Sequence, residues 1–486
     1  MATETQRTHY RVTYVVLVAG VLAFALLQSL VAPVLPVIRN ELHTSQSTAT
    51  WVMTAYLLSA SIFTPIMGRL GDMIGKKKVF VLTMIGLTIG SLVAALAPNI
   101  ETMILGRTIQ GIGGGVLPLA FGIVRDEFPK KRLHGAVSAL AALMAAGGGA
   151  GVVLAGPINN SLGYTWLFWL PMIVTAASAA AAFILVPESL NRTRGRLSVL
   201  PAVALSVWLV ALLVAFSKAP AWGWGSGRVV GLLVAAVAIA FAWVLMEKRA
   251  KTPIVDMNMM RQKAVWTNNL VALLLGVGMF AVFSFLPQFV TTPKSAGYGF
   301  SGSVTEAGLI LLPLTVTMFL TGLISGRLVS RIGGKSTVFL GLLVSLAAML
   351  LLTFAHTEKW ELYLATGIMG VGFGLAYSSM ASLIISAVPP AQTGVASGMN
   401  TNLRTVGGSI GAALMASIVT SNLRPDGLPK ESGYTHGFAM LSTALVIGAL
   451  AALLIPRQQK TTIPGQRKSV LQKTATAPAP SGNTAG

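Results

Sequence analysis

The chain has 486 residues, of which 54% are hydrophobic and only 10% charged. A soluble globular chain carries about a quarter charged residues, so there is too little polar surface here to cover soluble domains of this length. The net charge of +21 would point to nucleic acid in a soluble chain, but the basic residues fall between long apolar runs, so a lipid bilayer is the expected partner and nucleic acid is not. Cysteine is absent, which excludes disulfides and thiolate metal sites. The five histidines (His9, His43, His134, His356 and His436) are scattered, and no metal site is expected.

A bilayer core about 30 Å thick needs about 20 apolar residues at the helical rise. In chain order such runs predict membrane helices at 12–36, 49–67, 79–97, 101–124, 135–158, 166–187 and 199–217. They continue at 228–246, 267–290, 305–326, 336–355, 362–386, 394–420 and 436–455. The first run is too long for a signal-peptide core and lacks a small-residue cleavage site, so an uncleaved span is expected. Lys and Arg set the orientation. Of the 35, 26 fall on one set of alternate connections and tails, seven on the other, and Arg107 and Arg404 within spans. Fourteen spans with both termini cytoplasmic account for that asymmetry.

Internal repetition then divides the chain. Gly68-Arg69-Leu70 with Gly75 recurs as Gly326-Arg327-Leu328 with Gly333; Gly111, Gly113 and Gly115 recur as Gly370, Gly372 and Gly374; Gly135 and Ser138 recur as Gly394 and Ser397. One nearly constant offset across three anchors implies an all-α polytopic protein of two six-helix halves. The expected organisation is a cytoplasmic tail at 1–11, a first bundle at 12–187, and a basic linker with two extra membrane helices at 188–266. A second bundle follows at 267–455, then a disordered tail at 456–486, rich in Ala, Pro, Thr and Ser.

Four places could carry function. The segment Gly68-Arg69-Leu70-Gly71-Asp72-Met73-Ile74-Gly75-Lys76 joins spans two and three, where glycines permit a tight reversal and Asp72 can pair with a base or sit at a helix N-terminus. A solvated basic loop is the plainer alternative. Arg107 lies within span four and Arg404 within a late span, the latter flanked by Asn400 and Asn402. A guanidinium there costs about 2.5–3.5 kcal/mol on insertion scales, so each should face a cavity or a partner unless it snorkels to the interface. In span five, Gly147 to Gly151 and then Gly156-Pro157 allow close helix approach and a bend. Gly334-Lys335-Ser336-Thr337 mimics the end of a phosphate-binding loop, but Val329 stands where that loop needs its first glycine, so no ATP site is expected.

Six stretches carry a family resemblance: Trp51 to Tyr56, Gly68 to Lys78, Arg107 to Gly115, Gly156 to Pro171, Leu286-Pro287-Gln288 leading to Ala307-Gly308-Leu309 and Pro313, and Gly394 to Gly411. The chain resembles the major facilitator superfamily and, within it, the fourteen-span drug:proton antiporters. That resemblance implies alternating access between two six-helix bundles around a central cavity. It makes Arg69 and Asp72 part of a gating motif, ties Arg107 to proton coupling, and links Gly156 and Pro157, with Gly151 beside them, to export. Three positions depart from the pattern: Gln28 replaces the span-one acid, Asn160-Ser161 replace twin glycines, and Thr165 replaces an arginine.

The expected function is therefore export of small amphipathic molecules in exchange for protons, with the proton gradient as energy source, no cofactor and no enzymatic activity. A same-fold importer or facilitator of a nutrient or metabolite is the alternative. Coupling candidates are Asp72, Arg107, Glu306 and Arg404. Gln28, Trp51, Tyr56 and Gln110 are expected to line the cavity, as are Gln288, Asn400 and Asn402. All fourteen acids lie in connections or near span ends, so neutral or anionic substrates are expected over dicationic ones unless Glu306 or another span-end acid reaches the cavity. A monomer in the cell membrane is expected.

Overall fold

The computed structural model describes residues 10–189, 198–250 and 252–456. It contains fourteen helices long and apolar enough to cross a membrane: α1 Tyr10–Glu41, α2 Trp51–Ile74, α3 Lys76–Ala95, α4 Ile100–Glu127, α5 Arg132–Leu162, α6 Trp166–Leu185 and α7 Val199–Trp222. These are followed by α8 Gly227–Arg249, α9 Lys263–Thr291, α10 Thr305–Ile332, α11 Gly334–Phe354, α12 Lys359–Ala387, α13 Pro390–Thr420 and α14 Glu431–Ala452. No strand occurs among the described residues. The tails expected at 1–11 and 456–486 fall almost wholly outside the described residues, and the basic run Arg192 to Arg196 lies entirely outside them.

Each apolar run becomes one helix, but the helices overrun the runs. Residues Gly68 to Ile74, expected as a connection, are the last two turns of α2, and Gly326 to Ile332 those of α10. Only Gly75 and Gly333 reverse the chain, at φ of +120° and +87°, a backbone region that glycine enters without a Cβ penalty. The helix can continue through Arg69 and Asp72 because both are buried against protein instead of lipid.

The repeat is visible in the packing. Gly111 of α4 lies against Ser59 of α2, and Gly370 of α12 against Thr317 of α10, with no room for a Cβ at either glycine. The apolar windows of α4 and α12 are 83% and 89% buried, against 17% for α8; this places α4 and α12 centrally and turns α8 to lipid. The halves meet where α2 packs on α13 and α5 on α10. These contacts are also repeat mates, since Gly68 abuts Gly394 and Gly326 abuts Gly135. The inserted α7 packs on α8, on α13 and on α2. Trp51 of α2 sits under Lys218 of α7 at 5.3 Å, and Trp224 in the α7–α8 turn donates to Ser417 of α13 at 2.7 Å.

Candidate functional site

Hydrogen bonds joining the two halves gather on the basic face. Gly68 lets α2 and α13 approach until a Cβ on it would lie 2.5 Å from the Gly394 carbonyl oxygen. That brings Asp72, fully buried, to the start of α13, where its carboxylate accepts from the backbone N–H of Gly394 at 3.3 Å and of Val395 at 3.1 Å. First-turn amides have no partner inside their own helix, and the helix dipole favours an anion there. Asp72 therefore caps a helix of the opposite half. Lys76, Arg69 and Arg125 are its charged neighbours. Gly71 gives its space to Leu119, and Gly75 to the carboxylate of Glu188.

More contacts complete the seal. Lys76, fully buried, donates to Asp126 at 2.7 Å and to the carbonyl of Pro390 at 3.4 Å. Arg125 donates to Thr393 Oγ1 and to the Val388 carbonyl, both at 2.7 Å. His134 Nδ1 lies 2.8 Å from Ser382 Oγ, and Ser138 donates to the Ser378 carbonyl at 3.3 Å. None of Arg125, Asp126, His134 or Thr393 was an expected site residue. The repeat register held the signal, because His134 and Thr393 occupy matching positions at the starts of α5 and α13.

Arg107 and Arg404 are both buried, at 0% and 7% exposure, and neither snorkels. Arg107 donates from Nε to the Val52 carbonyl at 3.1 Å, and from Nη1 to the Leu27 carbonyl at 3.2 Å and Gln110 Oε1 at 2.7 Å. It lies 4.2 Å from the Tyr56 ring centroid. Gln110 passes the chain on to Ser91 at 2.9 Å. Leu27 lies in the last turn of the regular first helix segment, Tyr10–Ser29, whose carbonyls need outside donors. Arg107 thus clamps α4 to α1 and α2. Tyr56 and Gln110, expected in a cavity, are sealed in this cluster at 0% exposure.

Arg404 of α13 stacks on Tyr377 of α12 at 4.1 Å, a second arginine–tyrosine pair in the other half. The two arginines are not repeat mates, and neither are the tyrosines. Asn400 does not face a cavity: it ties α13 to α9 by donating to Asn269 Oδ1 at 2.9 Å and to the Asn268 carbonyl at 3.5 Å. Asn402 is buried with its Oδ1 unpartnered. Gln28 is half-buried and Gln288 is exposed on α9; Trp51 belongs to the α2–α7 contact. Glu306 sits at the outer start of α10 in an ion pair with Lys359, on the rim and not at mid-depth. Gly151 gives its space to Ser29 of α1, and Gly156 faces Thr305. Pro157 is exposed within an unbroken α5. A separate cleft of about 280 Å³ at the outer face is lined by Lys294, Tyr298, His356 and Glu431.

The chain is similar to known proteins along most of its length. The chain is 28% identical over 417 residues to the tetracenomycin C resistance and export protein of Streptomyces glaucescens, covering 85% of this chain and 76% of that one. It is 28% identical over 388 residues to the multidrug transporter protein MdtP of Bacillus subtilis, covering 77% and 69%. The fold matches the crystal structure of the human organic anion transporter MFSD10 (TETRAN) with a TM-score of 0.63 at 18% identity, over 93% of this chain and all of that one. With residues 17–412 matching the family itself, a fourteen-helix protein built from two repeated halves that meet through α2–α13 and α5–α10 belongs to the Major Facilitator Superfamily.

Proposed function

We propose that the chain exports small amphipathic molecules from the cytoplasm across the cell membrane in exchange for protons, as a monomer working by alternating access. The observation that carries this reading is the cross-half cap of Asp72 on α13, which holds the basic, cytoplasmic face shut. Relatives named for tetracenomycin C resistance and export and for multidrug transport favour the outward direction. The proton gradient is the energy source and no cofactor takes part.

Asp72 is also a coupling group in this reading. Protonation removes the negative charge from the positive end of α13 and leaves Lys76, Arg69 and Arg125 around a neutral acid, which loosens the latch. Arg107 cannot carry the proton, because a guanidinium stays charged throughout the physiological range. Its part is to hold α4 in place. Gln28 cannot titrate at all.

The test is flux in vesicles containing the purified chain under an imposed pH gradient, screened against varied amphiphiles. Export predicts gradient-driven movement of at least one compound, and Asp72→Asn is expected to lower it about tenfold at equal protein level. Unchanged flux in Asp72→Asn rejects the latch. Uptake of the same solute into intact cells, in place of extrusion, favours the importer.

A further inference from the structure

We propose that Arg404 and Tyr377 form the anion-recognising part of the transport path, taking an amphipathic monoanion such as an organic carboxylate. The class of substrate deepens the export reading and rests on it for direction alone; the binding step does not depend on it.

Arg404 lies eleven residues into the regular helix of α13, Thr393–Thr420, about 16 Å along at the helical rise and so near mid-membrane. Its guanidinium makes no hydrogen bond and no ion pair among the described residues; its one resolved contact is the Tyr377 ring at 4.1 Å. Among the described residues Tyr377 is also its one titratable neighbour, and no carboxylate there is close enough to act on it. Arg404 is 7% exposed, and its nitrogens are not among the buried polar atoms sealed without a partner. The Tyr377 hydroxyl is in the same condition at 3% exposure, whereas the Tyr56 hydroxyl is sealed.

A buried cation without a counter-charge is costly in a low-dielectric interior. The structure balances every donor direction of Arg107 that it resolves and none of Arg404. Five N–H donors in a planar fork match a carboxylate bidentately, and the Tyr377 hydroxyl can add another donor. One positive charge neutralises one negative charge, so a monoanion leaves the site neutral, whereas a dianion would strand a charge there. The ring beneath the guanidinium fixes the fork and presents an apolar edge to the rest of the ligand. Outward movement of an anion is also favoured by an inside-negative membrane potential.

The experiment measures equilibrium binding of two fluorescent probes to the full-length protein in detergent: dansyl-labelled undecanoate and the corresponding primary amide. The wild type should bind the carboxylate at least about tenfold more tightly than the amide. Arg404→Gln should bring the two within about twofold, mainly by weakening the carboxylate. Arg404→Lys, which keeps the charge and loses the fork, should retain a reduced preference; it serves as the variant reading if the glutamine variant is not recovered folded. Equal affinity of the wild type for both probes overturns the proposal, as does full carboxylate preference in Arg404→Gln. Chloride binding with no carboxylate preference also overturns it. Absence of gradient-driven efflux with the binding preference intact would sink the export reading and leave this site standing.

Discussion

Each half of the molecule buries one arginine on one tyrosine ring, at nearly the same distance, 4.2 Å for Arg107 on Tyr56 and 4.1 Å for Arg404 on Tyr377. The surroundings differ. Around Arg107, two backbone carbonyls and Gln110 converge from α1, α2 and α4, and the tyrosine hydroxyl is sealed. Around Arg404 no protein acceptor is placed among the described residues, and neither the guanidinium nor the Tyr377 hydroxyl is among the sealed, unpartnered atoms. The first pair is built like a joint and the second like a receptor. Burial alone therefore does not tell a structural charge from a functional one; the partners do.

The comparison can be broken most directly at Arg107. Arg107→Gln leaves the Leu27 carbonyl and Gln110 Oε1 without their donor in a sealed cluster, a loss on the order of 3 kcal/mol, read as lower yield and a lower melting temperature. Arg404→Gln removes a buried charge that lacks a protein partner, so its melting temperature in the absence of ligand should stay level or rise, within about 1 kcal/mol. An equal fall in both variants would erase the distinction.

The tyrosines sharpen it at smaller scale. Tyr56→Phe removes a hydroxyl buried without a partner and should be neutral or stabilising by about 1 kcal/mol. Tyr377→Phe should leave stability within about 0.5 kcal/mol and instead weaken binding of the carboxylate probe two- to fivefold, roughly one lost hydrogen bond. Calorimetry on the first and fluorescence titration on the second check these.

Much of this was legible in the residues. Spacing of apolar runs located all fourteen helices, because in lipid each run must become a helix to satisfy its backbone, and the glycine repeat located the paired turns at Gly75 and Gly333. Helix ends were less legible: Arg69 and Asp72 read as a connection by hydropathy, whereas burial against α13 lets the helix continue. Side-chain direction was the least legible. Tyr56, Gln110 and Asn400 were expected to line a cavity, yet the structure turns them into protein contacts, which hydropathy and spacing do not encode. Arg404 was singled out by its charge, but its lack of an acceptor depends on what α9 and α12 bring to it.

The smallest effect concerns the second asymmetry between the halves. Asp72 caps α13, while its repeat mate Ser330 is exposed and bonds the Arg327 carbonyl of its own helix at 2.7 Å. Restoring the acid by Ser330→Asp should change stability by no more than about 0.5 kcal/mol and leave flux at the wild-type level, because the cap resides in the α2–α13 contact. A marked change in flux would show that the α5–α10 contact also latches.

The most direct test of the central distinction is the shift in melting temperature caused by dansyl-labelled undecanoate, measured side by side on wild type, Arg107→Lys and Arg404→Gln. A ligand that binds the folded state raises the melting temperature in proportion to its affinity. Arg107→Lys should start lower than wild type and keep the shift, whereas Arg404→Gln should start at or above wild type and lose it. A shift that survives in Arg404→Gln and disappears in Arg107→Lys would contradict the account.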